Sequence, residues 1–100
     1  MRRNAKMLSI IVAMVEARKP VAAICHGPWM LCSARTADGA PVARGARCTS
    51  FVAVKDDLLN AGAVWEDAAV VVDERNIITS RTPNDLTPFC QAIIAALKSE

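Results

Sequence analysis

Tyrosine is absent from this 100-residue chain, and two tryptophans and two phenylalanines are its only aromatics. No stripe of Lys and Arg interleaves with aromatic side chains, so the pattern that stacks on bases and neutralises phosphates is missing. An excess of one charge is lacking too. Twelve basic and ten acidic residues leave a net +2, and nucleic acid is not expected as a partner. No apolar run approaches the roughly 20 residues of a membrane span, so no membrane partner is expected. Met1-Arg2-Arg3 followed by Leu8 to Val15 has the outline of a leader. Ser9 interrupts it and Glu16-Ala17-Arg18-Lys19 follows in place of a small-residue cleavage site. The segment reads instead as an amphipathic helix.

Metal-binding and disulfide signals are also sparse. The four cysteines, Cys25, Cys32, Cys48 and Cys90, form no CxxC pair, and there is one histidine. A finger-like zinc site is excluded, and neither a metal nor a cofactor is expected. The apolar, periodic chain does not need covalent staples, so the cysteines read as reduced thiols of a cytoplasmic protein.

What is present is a chain with 53% hydrophobic residues, enough for one globular core. Leu8, Ile11, Val12 and Val15 recur at helical spacing, with Asn4 able to cap the start and Pro20 to stop the helix after Lys19. Val21-Ala22-Ala23-Ile24 is wholly apolar and suits a central strand of a parallel sheet, covered on both faces. A helix is expected from about Pro28. A strand is expected over Arg47 to Phe51, a helix over Lys55 to Asn60 with Gly62 as its C-cap, and a strand over Ala63 to Trp65. Ala69 to Asp73 and Ile77 to Ser80 read as a hairpin, with Asn76 in the left-handed position of a three-residue loop. In the last helix Leu86, Phe89, Cys90, Ile93 and Leu97 share the face expected to be buried. This order indicates α/β architecture. Only Val21 to Ile24 reads as a central parallel strand, where a doubly wound sheet needs several.

The chemistry concentrates where that strand ends. Cys25-His26-Gly27-Pro28 follows the strand and precedes a helix, the layout of a nucleophile elbow. A residue there is lifted above the carboxyl edge of the sheet, where open α/β sheets bind ligands. The N-terminus of the next helix favours thiolate over thiol. Cys25 is the candidate nucleophile. The His26 imidazole is the candidate base or ion-pair partner, and the His26 N–H the candidate oxyanion donor. Cys32 and Cys90 read as helix-face core residues and Cys48 as a strand residue, since free cysteine is most often simply buried.

These residues resemble a known family. Lys19 to Pro28 is similar to the nucleophile region of PfpI proteins of the ThiJ/PfpI superfamily. The similarity continues through Thr49-Ser50, Lys55 to Ala63, Val70 to Asp73 and Thr79 to Leu86. The resemblance implies a flavodoxin-like sandwich related to class I glutamine amidotransferases, with residues 1–100 forming the C-terminal part of a single domain truncated at its N-terminus. It implies a reactive Cys25 with His26 and assembly as dimers or hexamers. The activities it implies are intracellular peptidase, or deglycase acting on glyoxal or methylglyoxal adducts. In the family, the missing N-terminal part carries a second oxyanion donor and an acidic partner that no residue here matches. The Arg35 to Pro41 connection is longer than usual for the family. Two rival readings belong to other classes: a non-enzymatic, stress-protective or chaperone-like module, and a glutamine amidotransferase-like domain. The second is disfavoured because Ile24, not Gly, precedes Cys25.

Overall fold

The computed structural model describes residues 4–36 and 38–98; the Met1 to Arg3 portion of the leader-like pattern lies outside the described residues. Helix α1 spans Ala5–Glu16, and the Asn4 side chain accepts the Met7 N–H at its start. The helix ends earlier than Pro20 alone would enforce. Arg18 takes a left-handed conformation, and the Arg18 and Lys19 N–H groups donate back to the Val15 and Met14 carbonyls. Strand β1 (Val21–Ile24), helix α2 (Trp29–Ser33), strand β2 (Arg47–Cys48), helix α3 (Lys55–Asn60) and strand β3 (Val64–Trp65) follow. Strands β4 (Val70–Val72) and β5 (Ile77–Ser80) and helix α4 (Leu86–Lys98) complete the chain.

The α/β architecture expected from the sequence is present. The main sheet has the order β1-β5-β4, and β2 and β3 form a second, parallel pair. β4 and β5 are the expected hairpin, pairing Val71 with Thr79, and Asn76 turns it at φ 65°. Gly62, at φ +92°, leaves α3 in the left-handed conformation a C-terminal glycine supplies at little steric cost. Arg44 lies so close that a Cβ there would come within 3.1 Å of its side chain.

Three expectations are corrected. β1 is not covered on both faces: none of its residues is fully buried and Ala22 is exposed. The reason is position. β1 pairs in parallel with β5 alone and lies at the sheet edge among the described residues. β5, held between β1 and β4, is the strand whose four residues are all buried. The strand expected over Arg47 to Phe51 stops at Cys48, because the next backbone groups turn to other partners. Thr49 N–H donates to Thr79 Oγ1 (2.8 Å) and Phe51 N–H to the Cys25 carbonyl (2.9 Å).

The third correction concerns α4. Phe89 is buried and Ile93 half-buried, but Leu86 and Leu97 are 51% and 56% exposed, and Cys90 is exposed as well. The inward stripe is Phe89, Ala92, Ile93 and Ala96. Leu97 is rotated roughly 80° from Phe89 around the helix, and Leu86 sits at its first position. Arg81 grips Asp85, through Nε to Oδ2 (2.9 Å) and Nη2 to Oδ1 (3.2 Å), just before α4 begins. That hydrogen bonding holds the Asp85 carboxyl below its ordinary value. Its stabilising contribution is therefore present above the ordinary carboxylate pKa and is lost as pH falls through the lowered one.

The core lies between α1, α2, α3 and the sheet, around Leu31, Val42, Val54, Leu58 and Ile77. Phe89→Ala is expected to cost about 3 kcal/mol or more, and Leu97→Ala within about 0.5 kcal/mol of nothing, in urea unfolding monitored by circular dichroism. Equal costs at the two positions would place the buried stripe of α4 elsewhere.

Candidate functional site

The parallel pairing of β1 with β5 continues one residue beyond the strand. Cys25 N–H donates to the Ser80 carbonyl (3.1 Å), while the Cys25 carbonyl accepts the Phe51 N–H (2.9 Å). Held from both sides, Cys25 takes φ 62°, the left-handed region that a residue with a Cβ enters at a cost. The chain then closes a tight turn, with Gly27 N–H donating to the Ile24 carbonyl (2.9 Å). A Cβ at Gly27 would meet that carbonyl oxygen at 3.1 Å and the Ala23 Cβ at 3.3 Å, so glycine is what allows the return. This strained strand-to-helix corner is the geometry a nucleophile elbow requires.

Cys25 is half-buried, and its sulfur lies 3.3 Å from Nδ1 of the exposed His26. The two sequence-identified candidates are thus brought together. Neither donor nor acceptor role is fixed, because it follows the imidazole tautomer. Among the described residues the His26 N–H donates to no acceptor, and no carboxylate is bonded to the imidazole. α2, the helix after the elbow, has only five residues. Its dipole is correspondingly weaker than that of a full helix.

Sequence reasoning passed over the aromatic setting of His26. The Trp29 ring lies 5.2 Å from the imidazole at 50°, and the Phe51 ring 5.1 Å away at 31°. Trp29, three residues on, was within reach of a helical-spacing argument; Phe51 carried no local signal. A groove of about 520 Å3 runs from Cys25 and His26 along the open side of β1 to Met7 and Ile11 of α1. Its lining is mostly apolar. A smaller cavity of about 300 Å3 is lined by Phe51, Trp65 and Arg81 among others.

The remaining cysteines are free thiols like Cys25. Cys48 is fully buried, as its strand position implied, and burial pushes its thiol up to about 12. Cys32 packs half-buried against the core, whereas Cys90 faces solvent. Among the described residues no three His, Cys, Asp or Glu side chains converge on a metal position, and no helix is long and apolar enough to cross a membrane.

Two measurements check this geometry. Because thiolate is the reacting form, native Cys48 is expected to resist iodoacetamide at about pH 9 and to label only on unfolding; labelling at the rate of Cys90 would contradict its burial. Cys25→Gly is expected to be about 1 kcal/mol more stable to urea than Cys25→Ala, since only glycine occupies the left-handed corner without strain. Equal stability would show that the corner is not strained.

The arrangement has counterparts in known proteins. The DJ-1/PfpI family profile matches residues 1–96. A protein of Archaeoglobus fulgidus is 47% identical over 97 residues, covering 97% of this chain and 54% of that one. A Pyrococcus horikoshii protein named as a deglycase is 45% identical with the same coverage. The chain therefore spans about half the length of these relatives. The crystal structure of an Anabaena variabilis protein with DJ-1/ThiJ/PfpI-like and ferritin-like domains superposes with a TM-score of 0.88 at 42% identity. That match covers 98% of this chain and 26% of the two-domain protein. With the sheet, the elbow and the sequence all in agreement, the fold is the flavodoxin-like α/β sandwich expected, and the chain belongs to the DJ-1/PfpI family.

Proposed function

We propose that the chain is the nucleophile-bearing, C-terminal part of a PfpI-type cysteine-dependent hydrolase, a peptidase or a deglycase acting on glyoxal or methylglyoxal adducts. The observation that carries this reading is the strained Cys25 with its sulfur 3.3 Å from His26 Nδ1. The relatives named as deglycases support the substrate class.

In this reading His26 takes the Cys25 proton and the thiolate adds to a carbonyl carbon. The new C–S bond forms as the carbonyl π pair moves onto oxygen, and the free His26 N–H donates to that developing oxyanion. For a peptide substrate, collapse expels the amine, which takes the proton held on His26. Water then cleaves the thioester and restores the thiol. Thiolate addition is the step that adduct and peptide chemistry share.

The rest of the family domain has a place to pack. The outer edge of β1 is unpaired among the described residues, and Ile10 and Met14 of α1 are exposed beside the groove lined by Met7 and Ile11. An unpaired edge beside apolar surface favours association with further chain. The protein is read as cytoplasmic. Leu86, Ile94 and Leu97, each more than half exposed on α4, support assembly into a dimer or hexamer.

The 100-residue chain by itself is expected to release adducts from methylglyoxal-treated N-acetylcysteine at least about 100-fold slower than a full-length relative, the typical effect of a missing oxyanion donor. Cys25→Ala is expected to abolish the remainder. Turnover that survives Cys25→Ala would contradict the nucleophile. Protection of an unfolding client by that same inactive variant would move the reading to a stress-protective module.

A further inference from the structure

We propose that Asp57 acts through Trp29 as a positioning residue that holds the His26 imidazole against the Cys25 sulfur. The inference rests on the reading of Cys25 and His26 as the reacting pair. His26 is exposed, and among the described residues it has no carboxylate to orient it. Its ring is confined between two others instead, at centroid separations of 5.2 Å to Trp29 and 5.1 Å to Phe51. Both separations lie within the range of favourable aromatic pairs.

Each ring has its own anchor. Phe51 is fixed beside Cys25 by its N–H bond to the Cys25 carbonyl. Trp29 is anchored from across the fold. Its indole N–H donates to Asp57 Oδ2 at 2.6 Å, a short, charge-assisted bond. Asp57 stands in the first turn of α3, next to the fully buried Leu58. The path therefore runs from a core-anchored helix through a carboxylate and an indole to the imidazole at the nucleophile. Small displacements of a reacting group cost rate steeply, so a tether of this kind acts on chemistry without touching substrate.

A competing role for Asp57 is support of α3 through its place in the first turn. Asp56 provides the control, because it shares that turn and makes no side-chain hydrogen bond among the described residues. His26 is the only histidine, so its ring protons are resolved by NMR in the unmodified chain and shifted by the ring currents of Trp29 and Phe51.

Asp57→Ala is expected to move these resonances toward free-histidine values and to slow iodoacetamide alkylation of Cys25 by about threefold to tenfold. Asp57→Asn keeps an acceptor for the indole and is expected to restore both readouts, while Asp56→Ala is expected to change neither. Unmoved His26 resonances in Asp57→Ala, failure of Asp57→Asn to rescue, or an equal effect of Asp56→Ala would each overturn the proposal. If His26→Ala leaves Cys25 alkylation unchanged, the reacting-pair reading fails, and the proposal fails with it even where the ring shifts confirm the Trp29–Asp57 tether.

Discussion

The two backbone hydrogen bonds at Cys25, one from its N–H to Ser80 and one from Phe51 to its carbonyl, are the constraint on which the site depends. They fasten the nucleophile candidate to the end of β5 on one side and to the segment after β2 on the other. With both ends held, the chain reaches α2 only by passing through a left-handed corner at Cys25 and a close return at Gly27. The same bonds bring Phe51 beside His26. Strain at one residue is sustained because neighbouring elements over-determine it, as is common where backbone geometry serves chemistry.

Buried polar groups keep this corner rigid. β5 carries Thr79 and Ser80 in fully buried positions, and both are engaged. Thr79 accepts the Thr49 N–H, and the Ser80 hydroxyl donates to the Ala69 carbonyl at 2.5 Å. Asp73, buried at the end of β4, accepts the N–H groups of Arg47 and Arg75 and so ties the start of β2 to the hairpin. Removing the Thr79 hydroxyl would leave the buried Thr49 N–H unpaired, which costs more than the bond itself contributes.

Much of this was legible in the sequence wherever the signal is local. The bounds of β1 came from four apolar residues between Pro20 and Cys25, the hairpin from Asn76 and its flanking strands, and the elbow from Cys-His-Gly-Pro after a strand. What was not legible depends on partners distant in sequence. Among the described residues β1 lies at an edge because it pairs with β5 alone, although Val21 to Ile24 are apolar enough for a strand with neighbours on both sides. The exposure of Leu86 and Leu97 depends on which stripe of α4 meets the sheet, and a helix with apolar residues around much of its circumference leaves that choice to packing. The clamp on His26 joins residues from α2, α3 and the turn after β2, the indole and its carboxylate being 28 positions apart.

In the proposed reading the elbow makes Cys25, and not merely an accessible cysteine, the reactive thiol. Cys90 is more exposed than Cys25, so accessibility and activation make opposite forecasts. The direct measurement is mass-spectrometric mapping of the native chain after limiting iodoacetamide near neutral pH, with the label at each cysteine quantified over time. Predominant modification of Cys25 ahead of Cys90 and Cys32 is the result expected. Modification of Cys90 first, or of Cys25 and Cys90 at equal rates, would contradict it.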